Sequence, residues 1–292
     1  MGEQAHASEA IRARIEHIYP SLRPAERAVA QYLHDHADAA ELTVHQLAQA
    51  THSSEPTVIR LSRKLGFSGY RELRYVLRHP AAEHHPPFDP LEGFDLNPWD
   101  QLEDIPGKAV GGARSMLDDL LASLDRPSLR KAVGMLATAG LIDIIGVENS
   151  IVPATDLCTK LSYLGLHCRI ATDAYLQQIN AGHLTDQDVA IAFSYSGSSR
   201  DTIKALQLAK SQGTHTIAVT NASNAPIRNW ADITLLAGSG ERTIYGNAIF
   251  SRISHIALVD MLYMGVILSD YGRFAARLDR SGRYIQDRGF TA

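Results

Sequence analysis

The stretch DVAIAFSYSGSSRDT, Asp188 to Thr202, decides how this chain folds. Val189 to Phe193 are apolar without alternation, the pattern of a parallel strand covered on both faces. The strand runs into a hydroxyl-lined turn in which Ser194, Ser196, Ser198 and Ser199 crowd around Gly197. From Arg200 the apolar residues Ile203, Leu206, Leu208 and Ala209 recur at helical spacing. Strand, serine turn and helix in succession predict an anion site, because free backbone N–H groups, hydroxyls and the helix dipole converge on one point. A serine-rich turn that merely caps the helix is the plainer alternative.

Neighbouring segments repeat the strand-helix alternation. Leu141 to Val147, Leu166 to Ile170, Thr216 to Val219 and Ile233 to Leu235 read as further strands, with helices at Ile151 to Leu164, Thr202 to Gln212 and Pro226 to Ala231. Two helices, from Lys108 to Leu124 and from Pro127 to Ala139, precede them. Such alternation implies a three-layer α/β sandwich with a mainly parallel sheet, whose ligands bind outside the carboxyl ends of the strands. The first strand ends in Gly146-Val147-Glu148-Asn149-Ser150 and the central one in Ser194-Tyr195-Ser196-Gly197, so two serine turns become neighbours. Neither turn has the spacing of a P-loop or a dinucleotide fingerprint.

The chain has 292 residues, 45% of them hydrophobic, which suffices for two ordinary domains with real cores. Its net charge of −4 argues against indiscriminate polyanion binding, so any nucleic-acid surface must be local. Without a signal peptide or an apolar run near 18 residues, a soluble, cytoplasmic, reduced protein with no membrane contact is expected. The two cysteines, Cys158 and Cys168, sit in apolar surroundings and are read as small core hydrophobes.

The N-terminal region is all α-helical by pattern. Ile11, Ile15 and Ile18 mark a first helix, Pro24 opens a second, and Val44 to Ala50 forms a short one. After a polar turn at Thr51 to Ser53, Ser54 caps a helix with Pro56 in its first turn, Val58, Ile59, Leu61 and Leu65 inward, and Gly66 at its end. Two short helices joined by a tight turn have the shape of a helix-turn-helix. Glu55, Thr57, Arg60, Arg63 and Lys64 are assigned to the polar side of the second helix, and Ser53 and Ser54 to its N-terminus, where base edges are met. Arg71, Arg74 and Arg78 continue the positive charge; Glu55 to Arg78 holds six basic residues against two acidic ones. The markedly basic segment of an acidic protein thus coincides with the helix-turn-helix, which points to double-stranded DNA through Ser53, Ser54, Glu55, Thr57, Arg60, Arg63, Lys64 and Arg71.

Leu47-Ala48, the run Ser54-Glu-Pro-Thr-Val-Ile-Arg60 and the tail KLGFSGYRELR, Lys64 to Arg74, resemble the N-terminal domain of RpiR-type bacterial transcription regulators. That family joins such a domain to a sugar-isomerase (SIS) domain that binds phosphosugars. The resemblance covers Leu129 to about Leu268 in the second half, and by position it implies phosphate binding by Ser150, Ser194, Ser196 and Ser199. It also implies pairing of SIS domains, hence a homo-oligomer, a dimer or tetramer. A last long helix from about Gly246 to Ser269, apolar on more than one side, suits such pairing. Glu241, Arg252 and His255 bracket its start, and in SIS isomerases a glutamate and a histidine here carry acid-base work. One departure stands out. Glu148 occupies the place where the family usually has a second glycine, which points to a hydroxyl-rich or amine-bearing ligand, or to an outward carboxylate with no ligand role.

The expected organisation is a helix-turn-helix domain at 1–79, a proline-rich acidic linker at 80–106, an SIS domain at 107–270 and a tail at 271–292, read as a solvated helix. His84-His85 lacks further ligands, so neither metal nor cofactor is expected. Trp99 and Phe94 are candidates to dock on a domain surface, and the linker acids to restrain the basic face. Two functions compete: a transcription regulator of sugar-metabolism genes with a phosphosugar effector, and an aldose–ketose phosphosugar isomerase with a helical appendage, for which Glu148, Glu241 and His255 would supply acid and base. The basic helix-turn-helix, which catalysis does not require, favours the regulator over an enzyme.

Overall fold

The computed structural model describes residues 3–79, 96–238 and 252–286. They form two compact units, Met1–Pro106 and Gly107–Ala292. Glu241, His84, His85, Phe94 and the expected helix start at Gly246 lie outside the described residues.

In the first unit, α1 (Glu3–Ile18), α2 (Pro24–Asp35), α3 (Val44–Ala50), α4 (Glu55–Lys64) and α5 (Tyr70–Arg78) enclose one core. Ile11, Ile15, Val29, Leu47, Val58, Leu61 and Leu73 are all essentially solvent-free within it. Gly66 takes φ +94 just past α4, the left-handed stop its position predicts. Trp99 packs on Tyr75 with ring centres 5.7 Å apart, and Asp104 pairs with Arg71, so the end of the expected linker belongs to this unit.

The helix α6 (Ile105–Ser123) leads into the second unit and α7 (Arg126–Thr138) follows it. Then follow β1 (Ile142–Gly146), α8 (Ile151–Tyr163), β2 (Cys168–Ile170), α9 (Ala174–Ala181), β3 (Val189–Phe193), α10 (Arg200–Ser211), β4 (His215–Thr220) and β5 (Ile233–Leu236). The five strands are all parallel, in the order β2-β1-β3-β4-β5. Alternation within the buried strands sorts the layers. Ile142, Ile144, Val189, Ile191 and Phe193 face one core together with α7, α8 and α11 (Ile253–Ser269). Ile145, Ala190, Ala192 and Ala218 face the other, where small side chains let α10 lie close through Ala205, Leu206 and Ala209. Pro226–Trp230, expected as an α-helix, is a single 3₁₀ stretch.

Two elements depart from the sequence reading. The helix α9 was not anticipated, because its large apolar residues point outward: Tyr175, Leu176 and Ile179 are exposed, while Gln177 and Ala181 form the buried side. Residues 271–284, expected as a solvated helix, form a helix that docks on the core. This is α12 (Tyr271–Tyr284), whose Phe274 is fully buried in the sheet-facing core and whose Arg277 donates to the carbonyls of Leu164 and Gly165. Among the described residues no single helix is long and apolar enough to cross a membrane. Replacing Phe274 by alanine empties a fully packed site and is expected to cost about 3–5 kcal/mol, read as a lowered melting temperature of the second unit. An unchanged melting temperature would return α12 to the status of an appendage.

Candidate functional site

The first site is the helix-turn-helix. Thr43 caps α3 reciprocally: its hydroxyl accepts from the Gln46 N–H and its own N–H donates to Gln46 Oε1. The turn closes when Ser53 N–H donates to the Ala48 carbonyl at 2.8 Å, with His52 in the left-handed region at φ 47. Leu47 and Ala48 of α3 meet Val58, Leu61 and Leu65 of α4 in the core. On the opposite side Ser54, Glu55 and Arg63 are exposed, with Arg63 Nε donating to the Ser68 carbonyl and Glu55 bonded to His45. Ser53 is half-buried against Thr51.

One of the expected contact residues sits differently, and three carry ion pairs within the unit. Thr57 is buried, not on the polar side, with its hydroxyl 2.9 Å from that of Ser54. Arg60 and Lys64 are exposed, yet both reach back to the fully buried Glu26 of α2, at 2.8 and 2.7 Å. Arg71 pairs with Asp104. Burial would raise the Glu26 carboxyl, but hydrogen bonds from Lys64, the Arg23 N–H and Arg60 outweigh it and hold it down at about 2. Glu26 was missed from sequence. A glutamate at the third position of a proline-led helix signals a cap, and nothing in its spacing announces two cations.

The second site lies at the carboxyl ends of β1 and β3. Strand order reverses between these two strands, and their register sets Gly146 opposite Phe193, so both serine turns leave the sheet side by side. A Cβ on Gly146 would stand 2.9 Å from the Ser150 carbonyl, which requires glycine where the turn folds back. Glu148 occupies φ 50, a conformation that favours glycine, so the departure expected at this position falls on a backbone suited to glycine. Its side chain is on the exposed side of the turn, whereas Ser150, just before α8, is buried.

In the second turn Gly197 has φ 61, and an added Cβ would collide with Ala225 at 2.3 Å and Thr220 at 2.9 Å. Ser194 is buried, Ser196 exposed and Ser199 half-buried at the N-cap of α10, where its hydroxyl caps no backbone group and instead accepts from Thr202. The N-terminal N–H groups of the 12-residue α10 stand beside these serine hydroxyls, of which Ser196 Oγ accepts from the Ser198 N–H. Thr220 and the Asn221 N–H both donate to the Tyr195 carbonyl, which fixes the turn to β4.

His255 is fully buried near the start of α11, 5.9 Å from the Tyr195 ring. Asn221 Nδ2 is committed to the Ala237 carbonyl, so its Oδ1 accepts and Nε2 of His255 carries the proton, at 2.6 Å. Nδ1 is then a buried acceptor with no partner among the described residues. Burial, and secondarily the charge of Arg252, push this imidazole down to about 3. Arg252 itself lies over the Tyr195 ring at 4.7 Å and within electrostatic reach of Glu148. Arg252 and Tyr195 thus join the site beyond the expected serines. Gln177 of α9 also contributes, since its amide donates to the carbonyls of Gly146 and Ala171 and pins the end of β1. Cys158 and Cys168 are unpaired thiols with sulfurs 3.7 Å apart, and burial pushes Cys158 up to about 12. No cluster of three or more metal-ligating side chains occurs among the described residues.

Residues 9–84 match the helix-turn-helix domain of the rpiR family, and residues 135–265 match the SIS domain. An uncharacterised HTH-type transcriptional regulator of Caldanaerobacter subterraneus is 30% identical over 94% of this chain and 96% of its own length. The chain belongs to the RpiR family of helix-turn-helix transcriptional regulators. Among solved structures, the Vibrio vulnificus NanR protein complexed with ManNAc-6P is 25% identical with a TM-score of 0.61, covering 96% of this chain and all of NanR. The sugar isomerase domain of an RpiR transcription factor from Sphaerobacter thermophilus shares the fold of the second unit, at 24% identity and a TM-score of 0.55 over 62% of this chain and 99% of that one.

The histidine makes the site sensitive to acid. A folded-state pKa of about 3 against an ordinary 6.5 means that the unfolded chain binds the proton first, so stability falls as pH drops from 6.5 towards 3. His255→Asn is expected to flatten that part of the stability–pH curve in calorimetry between pH 7.5 and 5. An unaltered slope would contradict the buried neutral imidazole.

Proposed function

We propose that this RpiR-family protein regulates sugar-metabolism genes from the cytoplasm as a homo-oligomer, binding operator DNA through α4 and sensing a phosphosugar between the two serine turns of its second unit. One observation supports this reading above the others: the parallel register of β1 and β3 turns Ser150, Ser194, Ser196 and Ser199 towards one strand end, beside two helix N-termini. NanR, of the same architecture, is complexed with a phosphorylated sugar, ManNAc-6P. The phosphate would lie against the hydroxyls, with the sugar towards Glu148, Arg252 and His255. Glu148, whose carboxylate opposes a second phosphate, favours hydroxyls or an amine at that end.

The isomerase alternative is disfavoured by His255. An aldose–ketose isomerase needs a base poised near neutral pH, whereas this imidazole is enclosed, tied to Asn221 and pushed down to about 3. Its remaining nitrogen is better suited to accept a hydrogen bond from a ligand hydroxyl than to carry protons. Self-association is supported by α11 and α12, which bury Leu258, Val259, Leu262 and Val266 in their own core yet expose Met264, Leu268 and Tyr271.

The two sites separate by mutation. Ser194→Ala and Ser196→Ala are each expected to remove the thermal stabilisation that a sugar phosphate confers on wild type, with DNA affinity within twofold, because a ligand that binds only the folded state raises its melting temperature. Arg63→Ala is expected to weaken DNA binding about fivefold or more and to leave the thermal shift intact. Serine variants that keep the full shift with the same sugar phosphate would displace the phosphate from these turns.

A further inference from the structure

We propose that Glu26 is a positioning residue for DNA recognition: its buried carboxylate fixes the rotation of α4 and holds Arg60 and Lys64 away from the DNA phosphates. The inference rests on the reading of α4 as the recognition helix. Its geometry stands by itself. Glu26 has no exposed surface, and its two oxygens accept three hydrogen bonds: from the Arg23 N–H at 2.9 Å, Arg60 Nε at 2.8 Å and Lys64 Nζ at 2.7 Å. Arg60 and Lys64 are four residues apart on one face of α4, so a single carboxylate on α2 grips consecutive turns of the helix. The network continues outward. Nη2 of Arg60 reaches Thr57 Oγ1 at 3.4 Å, and Thr57 shares a hydrogen bond with Ser54, the N-cap residue of α4. A polar chain therefore runs from the core of the unit to the first turn of the helix, where base edges are read.

Charge placement gives this arrangement its consequence. The segment from Glu55 to Arg78 counts six cations, yet two of them are bonded to a third element's anion. Cations so held contribute little to counterion release, which otherwise sets affinity for any duplex regardless of sequence. Glu26 thereby suppresses indiscriminate binding while keeping the reading helix in one orientation. Discrimination, not raw affinity, is the quantity that it protects.

Full-length wild type, Glu26→Gln, Lys64→Met and Arg63→Met would be titrated against two duplexes across a salt series. One is the best-bound duplex of roughly 30 base pairs, long enough for two half-sites a turn apart, recovered by wild type from a random library. The other is a scramble of the same composition. In Glu26→Gln the released cations are expected to steepen the salt slope on the scramble by about one, tighten binding to it, and weaken the selected duplex, so that discrimination falls about tenfold. Simple loss of structure would instead weaken both duplexes. Lys64→Met does not uncover a buried anion without partners, since Arg60 and the Arg23 N–H remain, and it serves even where Glu26→Gln does not fold. It is expected to change the slope on the scramble by less than half of what Arg63→Met does. Equal slope losses in Lys64→Met and Arg63→Met, or unchanged discrimination in a folded Glu26→Gln, would overturn the role of Glu26 and leave DNA binding in place. A wild type without salt-dependent affinity for any duplex would overturn the recognition reading itself.

Discussion

The second unit depends on one pairing, the parallel ladder in which Gly146 of β1 lies opposite Phe193 of β3. A shift by one residue would turn every side chain of one strand to the other face, exchanging Ile191 and Phe193 for Ala190 and Ala192 in the sheet-facing cores. The two faces differ in volume, so the register is determined by packing. Because it is, the glycine-bearing ends of both strands emerge together at the point where strand order reverses. The turns then need Gly146 and Gly197, where a side chain would collide with Ser150 or Ala225. The proposed ligand site thus follows from a packing constraint several residues away.

The first unit has a polar counterpart. Its apolar contacts, Val58, Leu61 and Leu65 among them, are not directional. A buried carboxylate joined to two cations on successive turns is directional and resists rotation of α4. Taking an anion out of water is costly, and hydrogen bonds from three donors offset that cost here. His255 in the second unit follows the opposite course, since burial, with the charge of Arg252, keeps it neutral.

Much of this was legible in the sequence, and the reasons for the rest are specific. Val189 to Phe193 appears as a strand with the same bounds, because uninterrupted apolar residues between polar breaks leave few alternatives. The turn residues Ser150, Ser194 and Ser199 were visible because strand and helix patterns flank them. Apolar periodicity failed for α9, whose Tyr175, Leu176 and Ile179 face outward, and for α12, which contributes the single buried Phe274 from an arginine-rich segment. Charge counting did not reveal how much of the basic face is ion-paired within the unit. It placed Thr57 on the polar side and could not show that Arg60 and Lys64 turn inward to a residue some thirty-five positions earlier. Ion pairs across helices depend on the packing angle between them, which no local pattern encodes.

In the proposed sensor, ligand occupancy of the serine turns is coupled to DNA affinity, and coupling is a free energy that can be read from either side. The most direct measurement is fluorescence anisotropy of full-length protein on a duplex selected by the protein itself, with and without each of a panel of sugar phosphates and their unphosphorylated parents. At least one sugar phosphate should shift the dissociation constant fivefold or more, for a coupling of about 1 kcal/mol, while its parent sugar leaves it unchanged. DNA affinity that stays the same while a sugar phosphate demonstrably binds, or is converted to its isomer, would exclude a phosphosugar-controlled regulator.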